Sequence, residues 1–495
     1  MNALSLPLRR FLALVIFATL VSAANAGAAS LEAIQEKVTQ YLNSRALRSS
    51  EWGIEIVDPK NNQVLFSVNS EKTFTPASVV KVLTTATALE KLGPDFRYKT
   101  GVYTDGVLHA DGTLAGDLIL VGRGDPNLLN PPGDGPSQQA FEELAGKLKA
   151  AGVKNVLGNI VGDDSYFEFP TRGKRWTSAE MKSFHGVPIS ALTVNNNVIW
   201  VQVRPTRYQQ LVSVGLEPRG SYLRIRNLGV TGRPKSKRTL YARLIPGTRT
   251  VVVSGVLPSS YAGYGQYILI DKPAEVAAGM LKDELVRNGI SLRGSVDVLH
   301  QGDVSPEHKR KWTLLAEYQS APLVRALEII NKSSQNLHAE MLLRTLGAEF
   351  SGSGTEEGTE EAGLQVIREF LAETGVETKG ISLTDGSGLS RANLLTPRFQ
   401  TSLMLFLSTR PHFDLFLNTL AVSGTDGTLR NRLSSERGVI HAKTGTLSGV
   451  SSLSGYMTTK SGRNLVFSIF ANFRASVGRI RKTIDEICRL FVSQY

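Results

Sequence analysis

Thr75-Pro76-Ala77-Ser78-Val79-Val80-Lys81 opens a helical pattern that runs to Gly93-Pro94, and this stretch decides the fold. Thr75 suits the cap position, Pro76 the first turn, and Gly93-Pro94 the stop. Ser78 and Lys81 are three residues apart, so on a helix they share a face and their heads can meet. A serine near a helix N-terminus also feels unpaired backbone N–H groups that favour negative charge. An ordinary core helix can carry Ser-x-x-Lys by chance. The string gains meaning from two later ones in fixed order, Ser334-Gln335-Asn336 and Lys443-Thr444-Gly445. Together they describe a serine nucleophile activated by lysine rather than histidine.

Arg9-Arg10 precede an apolar run from Phe11 to Ala23, and Ala24-Asn25-Ala26 fits a small-residue cleavage site. Residues 1–26 are therefore expected to be a secretory signal, too short to span a membrane. No cysteine stands at the cut for lipid attachment, and the lone Cys488, on an amphipathic pattern, suits a small buried hydrophobe. An exported chain without an internal disulfide must rely on its core, and this one is long enough to build several.

The formal charge of the 495 residues is +12, and loss of Arg9 and Arg10 leaves +10. In an exported protein such a charge meets anionic wall polymers or lipid head groups, not nucleic acid. The densest basic segment runs from Arg219 to Arg243. Its alternation, Leu223 and Ile225 against Arg224 and Arg226, indicates strands with one wet, basic face. A solvated sheet is the simpler reading of that face, and a polymer-binding surface the alternative.

Helical periodicity covers 31–49, the Ser78 segment, 138–151, 320–347, 360–375, 396–409 and about 479–492. Strands are expected at 52–58 and 63–68 around an Asp58–Asn62 turn, and at 450–458 and 464–472 around Thr459–Gly462. Between Tyr98 and about 300 the texture turns to short alternating strands with many glycines. One α/β domain is thus expected to be split by a long β-rich insertion, with subdomains suggested by the Pro-Gly-Asp-rich 130–136. Glu356, Glu357, Glu360 and Glu361 suit a surface loop leading into a helix.

Rival motifs fail. Asp125-Pro126 interrupts the helix start that Gly122-Arg123-Gly124 would need for a dinucleotide fingerprint. No two of the seven histidines have metal-ligand spacing, so no metal or other cofactor is expected. A Gly-x-Ser-x-Gly elbow is absent.

The three boxes resemble those of penicillin-interacting serine DD-peptidases and serine β-lactamases. The 256-residue gap from Ser78 to Ser334 resembles the low-molecular-mass class C penicillin-binding proteins, the D-alanyl-D-alanine carboxypeptidase/DD-endopeptidase family. Gly124-Asp125-Pro126, Gly162-Asp163-Asp164-Ser165-x-Phe167, 385–391 with Asn393, and 423–429 agree with it. Gln335 departs from the family, where Asp is common at that place.

The resemblance implies an α/β (α+β) chain: a serine β-lactamase/DD-peptidase-like domain, its antiparallel sheet flanked by helices, interrupted by accessory β-rich domains. The implied segments are 27–98 and 299–495 for the catalytic domain, 99–126 and 193–298 for the insertion, and 127–192 for a nested subdomain. The insertion is expected to shape the cleft or dock on the wall, not to supply the nucleophile.

By the same resemblance Ser78 is the nucleophile, Lys81 its base, and Ser334 a proton relay. Burial and the second cation Lys443 would lower the Lys81 pKa. Asn336 would hold the substrate backbone and the Lys81 head. Lys443, Thr444, Gly445, Thr446 and Leu447 would form a substrate-binding strand edge beside the Ser78 helix, with the N–H groups of Ser78 and Thr446 as oxyanion hole. Asp163 and Arg391 would read the diamino-acid side chain of the stem peptide, although both could be turn residues. The implied partners are peptidoglycan stem peptides and, as covalent inhibitors, β-lactams, in the periplasm. Two alternatives use the same motifs: a serine β-lactamase, which needs a fast deacylating base, and a wall-binding or antibiotic-sensing module that acylates once.

Overall fold

The computed structural model describes residues 30–128, 138–169, 172–220, 222–351, 358–474 and 476–495. The expected signal 1–26, the 130–136 stretch, and Glu356 and Glu357 lie outside the described residues. No described helix is long and apolar enough to cross a membrane. The chain forms two compact units: residues up to 75 with 395–405 and 421–495, and 76–394 with 406–420.

The first unit is built on a six-stranded sheet. Its order is Ala421–Val422, Ile440–Leu447, Val450–Thr458, Asn464–Asn472, Glu51–Asp58, Gln63–Val68, antiparallel throughout. The first hairpin turns as expected, with Asp58 Oδ1 accepting from the Lys60 N–H at 2.9 Å and Asn62 at φ +56°. Helices Leu31–Leu42 and Val477–Gln494 share a core with the sheet. Ile480, Ile484, Ile487 and Phe491 recur at helical spacing and are fully buried with Ile54, Leu453 and Phe467. Cys488 lies in the same core, and burial pushes its thiol pKa up. The expected 31–49 helix stops at Leu42.

The second unit carries a five-stranded mixed sheet, ordered Val296–Leu299, Ile160–Asp163, Leu118–Val121, Lys99–Thr104, Thr313–Gln319. Helices Gln139–Ala150 and Pro273–Arg287 bury Leu144, Leu148, Leu281 and Leu285 in one core with Val102, Leu120 and Ile160. Smaller sheets complete the insertion, among them Arg224–Gly232, Thr250–Pro258 and Tyr241–Leu244. The last strand of the five, Thr313–Gln319, pairs antiparallel with Lys99–Thr104. We therefore propose that the insertion closes after Gln319, not at 298. The α+β class expected from sequence holds.

Two sequence expectations near the boxes need correction. The α-helix starts at Val80, and Ala77–Val79 is a 3₁₀ turn whose cap position is Pro76, not Thr75. Ala77 sits at φ +51° and packs closely against Gly388, where a Cβ would stand 2.0 Å from the Ala77 carbonyl oxygen. The 320–347 stretch is two helices, Leu323–Lys332 and Asn336–Phe350, parted at Ser334 with φ +59°. Ala77 adjoins the first box and Ser334 opens the second, and such strain is tolerated when surroundings enforce it.

Candidate active site

In the second unit, the turn at Ala77–Val79 leaves Ser78 half-buried and places Lys81, one turn on, fully out of water. Lys81 Nζ lies 3.0 Å from Ser78 Oγ, 2.7 Å from Asn336 Oδ1 and 2.5 Å from the Ser387 carbonyl oxygen. An ammonium satisfies three acceptors with its three N–H groups. A neutral amine keeps two for Asn336 and Ser387, and its lone pair can then accept the Ser78 hydroxyl proton. Burial lowers the Lys81 pKa to about 7, against the pull of Asp385 and Glu340. Burial is thus the larger cause, and both carboxylates work against it.

Asn336 opens the helix to Phe350 and donates through Nδ2 to the His185 carbonyl at 3.0 Å, which fixes its Oδ1 towards Lys81. The Ser387 carbonyl is held by a buried network. Glu340 Oε1 accepts from the Gly386 and Ser387 N–H groups at 3.1 and 2.8 Å. Asp385 Oδ1 accepts from the Gly388 N–H and Asn393 Nδ2, and Oδ2 from the Ser390 N–H and Trp176 Nε1. Arg344, fully buried, pairs with Glu340 at 3.1 Å and Glu360 at 3.3 Å. Burial raises the pKa of both carboxyls, and Arg344 opposes it.

Sequence reasoning missed Glu340 and Arg344. Their signal was available: a Glu and an Arg four apart inside the apolar run Leu337–Leu346. Arg344→Met should cost about 3–5 kcal/mol of stability, because it strands buried carboxylates. Denaturant midpoints measure it, and a loss below about 1 kcal/mol would show that the network relaxes.

His338 is buried, its pKa lowered to about 3, with Nε2 3.0 Å from Asn127 Oδ1. It is a neutral core histidine, tied to Asn127 and not to the serine. Ser334 precedes Asn336 by two residues in its left-handed turn.

In the first unit, Lys443, Thr444, Gly445, Thr446 and Leu447 lie together on strand Ile440–Leu447. On one side this strand pairs along its whole length with Val450–Thr458. On the other, pairing covers only His441 and Ala442, and beyond them that edge carries no strand among the described residues. Lys443 is buried and donates to the Thr444 carbonyl at 2.8 Å. Thr444 Oγ1 donates to Thr428, and Arg481 to Thr446 Oγ1.

The D-Ala-D-Ala carboxypeptidase 3 (S13) family matches residues 34–490. The chain belongs to that family. A D-alanyl-D-alanine carboxypeptidase of Actinomadura sp. (strain R39) is 34% identical over 462 residues, 91% of this chain and 82% of that one. The D-alanyl-D-alanine carboxypeptidase DacB of Haemophilus influenzae is 27% identical over 419 residues, 83% of each. In fold, the chain is similar to the crystal structure of penicillin binding protein 4 from H. influenzae. The TM-score is 0.75 at 24% identity, covering 92% of this chain and 99% of that one.

Asp163 and Arg391, the expected side-chain readers, stand in different settings in this S13 chain. Asp163 ends strand Ile160–Asp163 and is buried, with Oδ2 2.9 Å from Lys309 Nζ and Oδ1 accepting from the Ser165 N–H. Its acceptors are occupied from within the chain, as a structural turn residue's would be. Arg391 is exposed on the turn that supplies Ser387. The insertion also does more than stand aside: its Trp176 and His185 bond Asp385 and Asn336 directly.

Proposed function

We propose that this S13 chain is an exported, periplasmic serine D-Ala-D-Ala carboxypeptidase and/or DD-endopeptidase acting on peptidoglycan stem peptides. The observation that carries this reading is the Lys81 amine, with its pKa lowered to about 7, at 3.0 Å from Ser78 Oγ. Ser78 Oγ attacks the carbonyl of the penultimate D-Ala while Lys81 takes its proton. Ser334 relays a proton to the leaving amine, so D-Ala or the cross-linked strand departs, and water then hydrolyses the acyl-enzyme ester. Lys443, Thr444, Gly445, Thr446 and Leu447 keep the substrate-binding role implied by family. A strand edge without a ladder partner accepts an extended peptide through its backbone groups. β-Lactams acylate the same serine. Penicillin binding protein 4 of H. influenzae has a crystal structure in complex with a β-lactam.

Purified protein incubated with defined monomeric and cross-linked muropeptides tests the reading by mass spectrometry of the products. Free D-Ala and separated strands are expected. Stoichiometric penicillin labelling without peptide turnover would favour the sensing module, and rapid β-lactam hydrolysis the β-lactamase.

With Asp163 already ion-paired to Lys309, we assign side-chain recognition to Arg391 alone, whose planar fork matches a carboxylate. Arg391→Ala should cut turnover of diaminopimelate peptides by about 10–100-fold, a loss of ~1.4–2.8 kcal/mol. Acylation by a simple penicillin should change little. Equal losses on both substrates would make Arg391 a structural residue.

A further inference from the structure

Net charge is confined to one part of this chain. Between 204 and 270, eleven lysines and arginines accompany a single acid, Glu217. That stretch holds ten of the twelve net positive charges, Arg9 and Arg10 supply the other two, and everything else sums to zero. All eleven cations are exposed, and none joins an ion pair among the described residues. Elsewhere in the second unit cations are commonly paired, as Lys309, Arg344 and Arg410 are. A stretch that repels itself needs an external reason to persist.

The sheet made of Arg224–Gly232, Thr250–Pro258 and Tyr241–Leu244 gives these charges a face. In register, Arg226 and Arg243 flank Val252, and Leu228 and Tyr241 flank Ser254. Register partners project from one side of a sheet, and positions two apart share it. Arg224, Arg226, Leu228, Tyr241 and Arg243 therefore stand on one face. The opposite face sends Val251, Val253 and Ala242 into the core. Leu228 and Tyr241 are each 49% exposed, among cations rather than away from them.

We propose that this face docks on an anionic phospholipid surface. Arginine forks bind headgroup phosphates, and exposed Leu and Tyr enter the interfacial layer, where a tyrosine ring meets both media. The exposed leucine favours lipid over an anionic polysaccharide, whose hydroxyls and carboxylates offer it no apolar contact. Docking would hold the enzyme at a membrane without a spanning helix, and it is independent of the Ser78 chemistry.

Co-sedimentation with vesicles tests it. The protein should pellet with phosphatidylcholine vesicles containing one quarter phosphatidylglycerol, not with phosphatidylcholine alone, and salt should release it. The three Gln replacements at Arg224, Arg226 and Arg243 should weaken binding about a hundredfold, and Arg224→Glu with Arg226→Glu and Arg243→Glu about 10⁴-fold. Leu228→Ser with Tyr241→Ser should weaken it at unchanged charge. All variants should keep wild-type penicillin labelling of Ser78, which reports an intact fold. Absence of binding to the anionic vesicles overturns the proposal. So does wild-type binding by the Glu variant, or retention on purified wall polymer with none on vesicles.

Discussion

Ser78→Ala abolishes both peptide turnover and covalent labelling by a fluorescent penicillin. Ser78 combines a half-buried hydroxyl with the buried Lys81 amine at 3.0 Å. Loss of a serine nucleophile in a well-studied hydrolase lowers turnover by about 10⁶, so activity should fall to background. The fold should survive. Lys81 keeps Asn336 and Ser387 as partners. The stability change should stay within about 1 kcal/mol, the net worth of one hydrogen bond. Intact-mass analysis after exposure to penicillin reads the adduct. An adduct that persists, mapped to another serine, would remove Ser78 from the mechanism.

The parts of this chain legible in its sequence were those fixed by local pattern. The strand pair Val450–Thr458 and Asn464–Asn472 matched alternation plus a Gly462 turn, because both strands are short-range partners. Helix Glu360–Thr374 matched because Thr359 caps it and Gly375 ends it in the left-handed region. The break at Ser334 was hidden, since apolar periodicity runs on through Ile330 and Leu337 while only the backbone turns. Alternation marks a strand but never names its partner, so the pairing of Thr313–Gln319 with Lys99–Thr104, over two hundred residues away, could not be read. For the same reason the three boxes gave Ser78, Lys81 and Asn336, whereas the carbonyl of Ser387 and the carboxylates behind it needed the fold. The pairing of Asp163 with Lys309, 146 residues away, was likewise invisible in the sequence.

Lys81→Arg should lower acylation by about 10²–10⁴-fold, the usual worth of a general base. Guanidinium keeps the charge but does not surrender a proton at any working pH, so the lone pair that Ser78 needs is never available. In the wild type, burial sets the Lys81 pKa at about 7 instead of 10.5. Acylation should therefore climb as pH rises through 7 and level off above it. Stability should carry the same signature. The folded state holds fewer protons than the unfolded one between about 7 and 10.5, so stability rises with pH across that window, by up to about 1.4 kcal/mol per unit. Below 7 the lysine is charged in both states and the gain is absent. Lys81→Met, which cannot titrate, should lack this slope. Urea midpoints of wild type and Lys81→Met across that range measure the difference. A flat acylation profile through pH 7, or near-native acylation by Lys81→Arg, would mean that another group takes the serine proton. The geometry leaves that group few places to be, since the lysine amine is the one donor bonded to Ser78 Oγ among the described contacts.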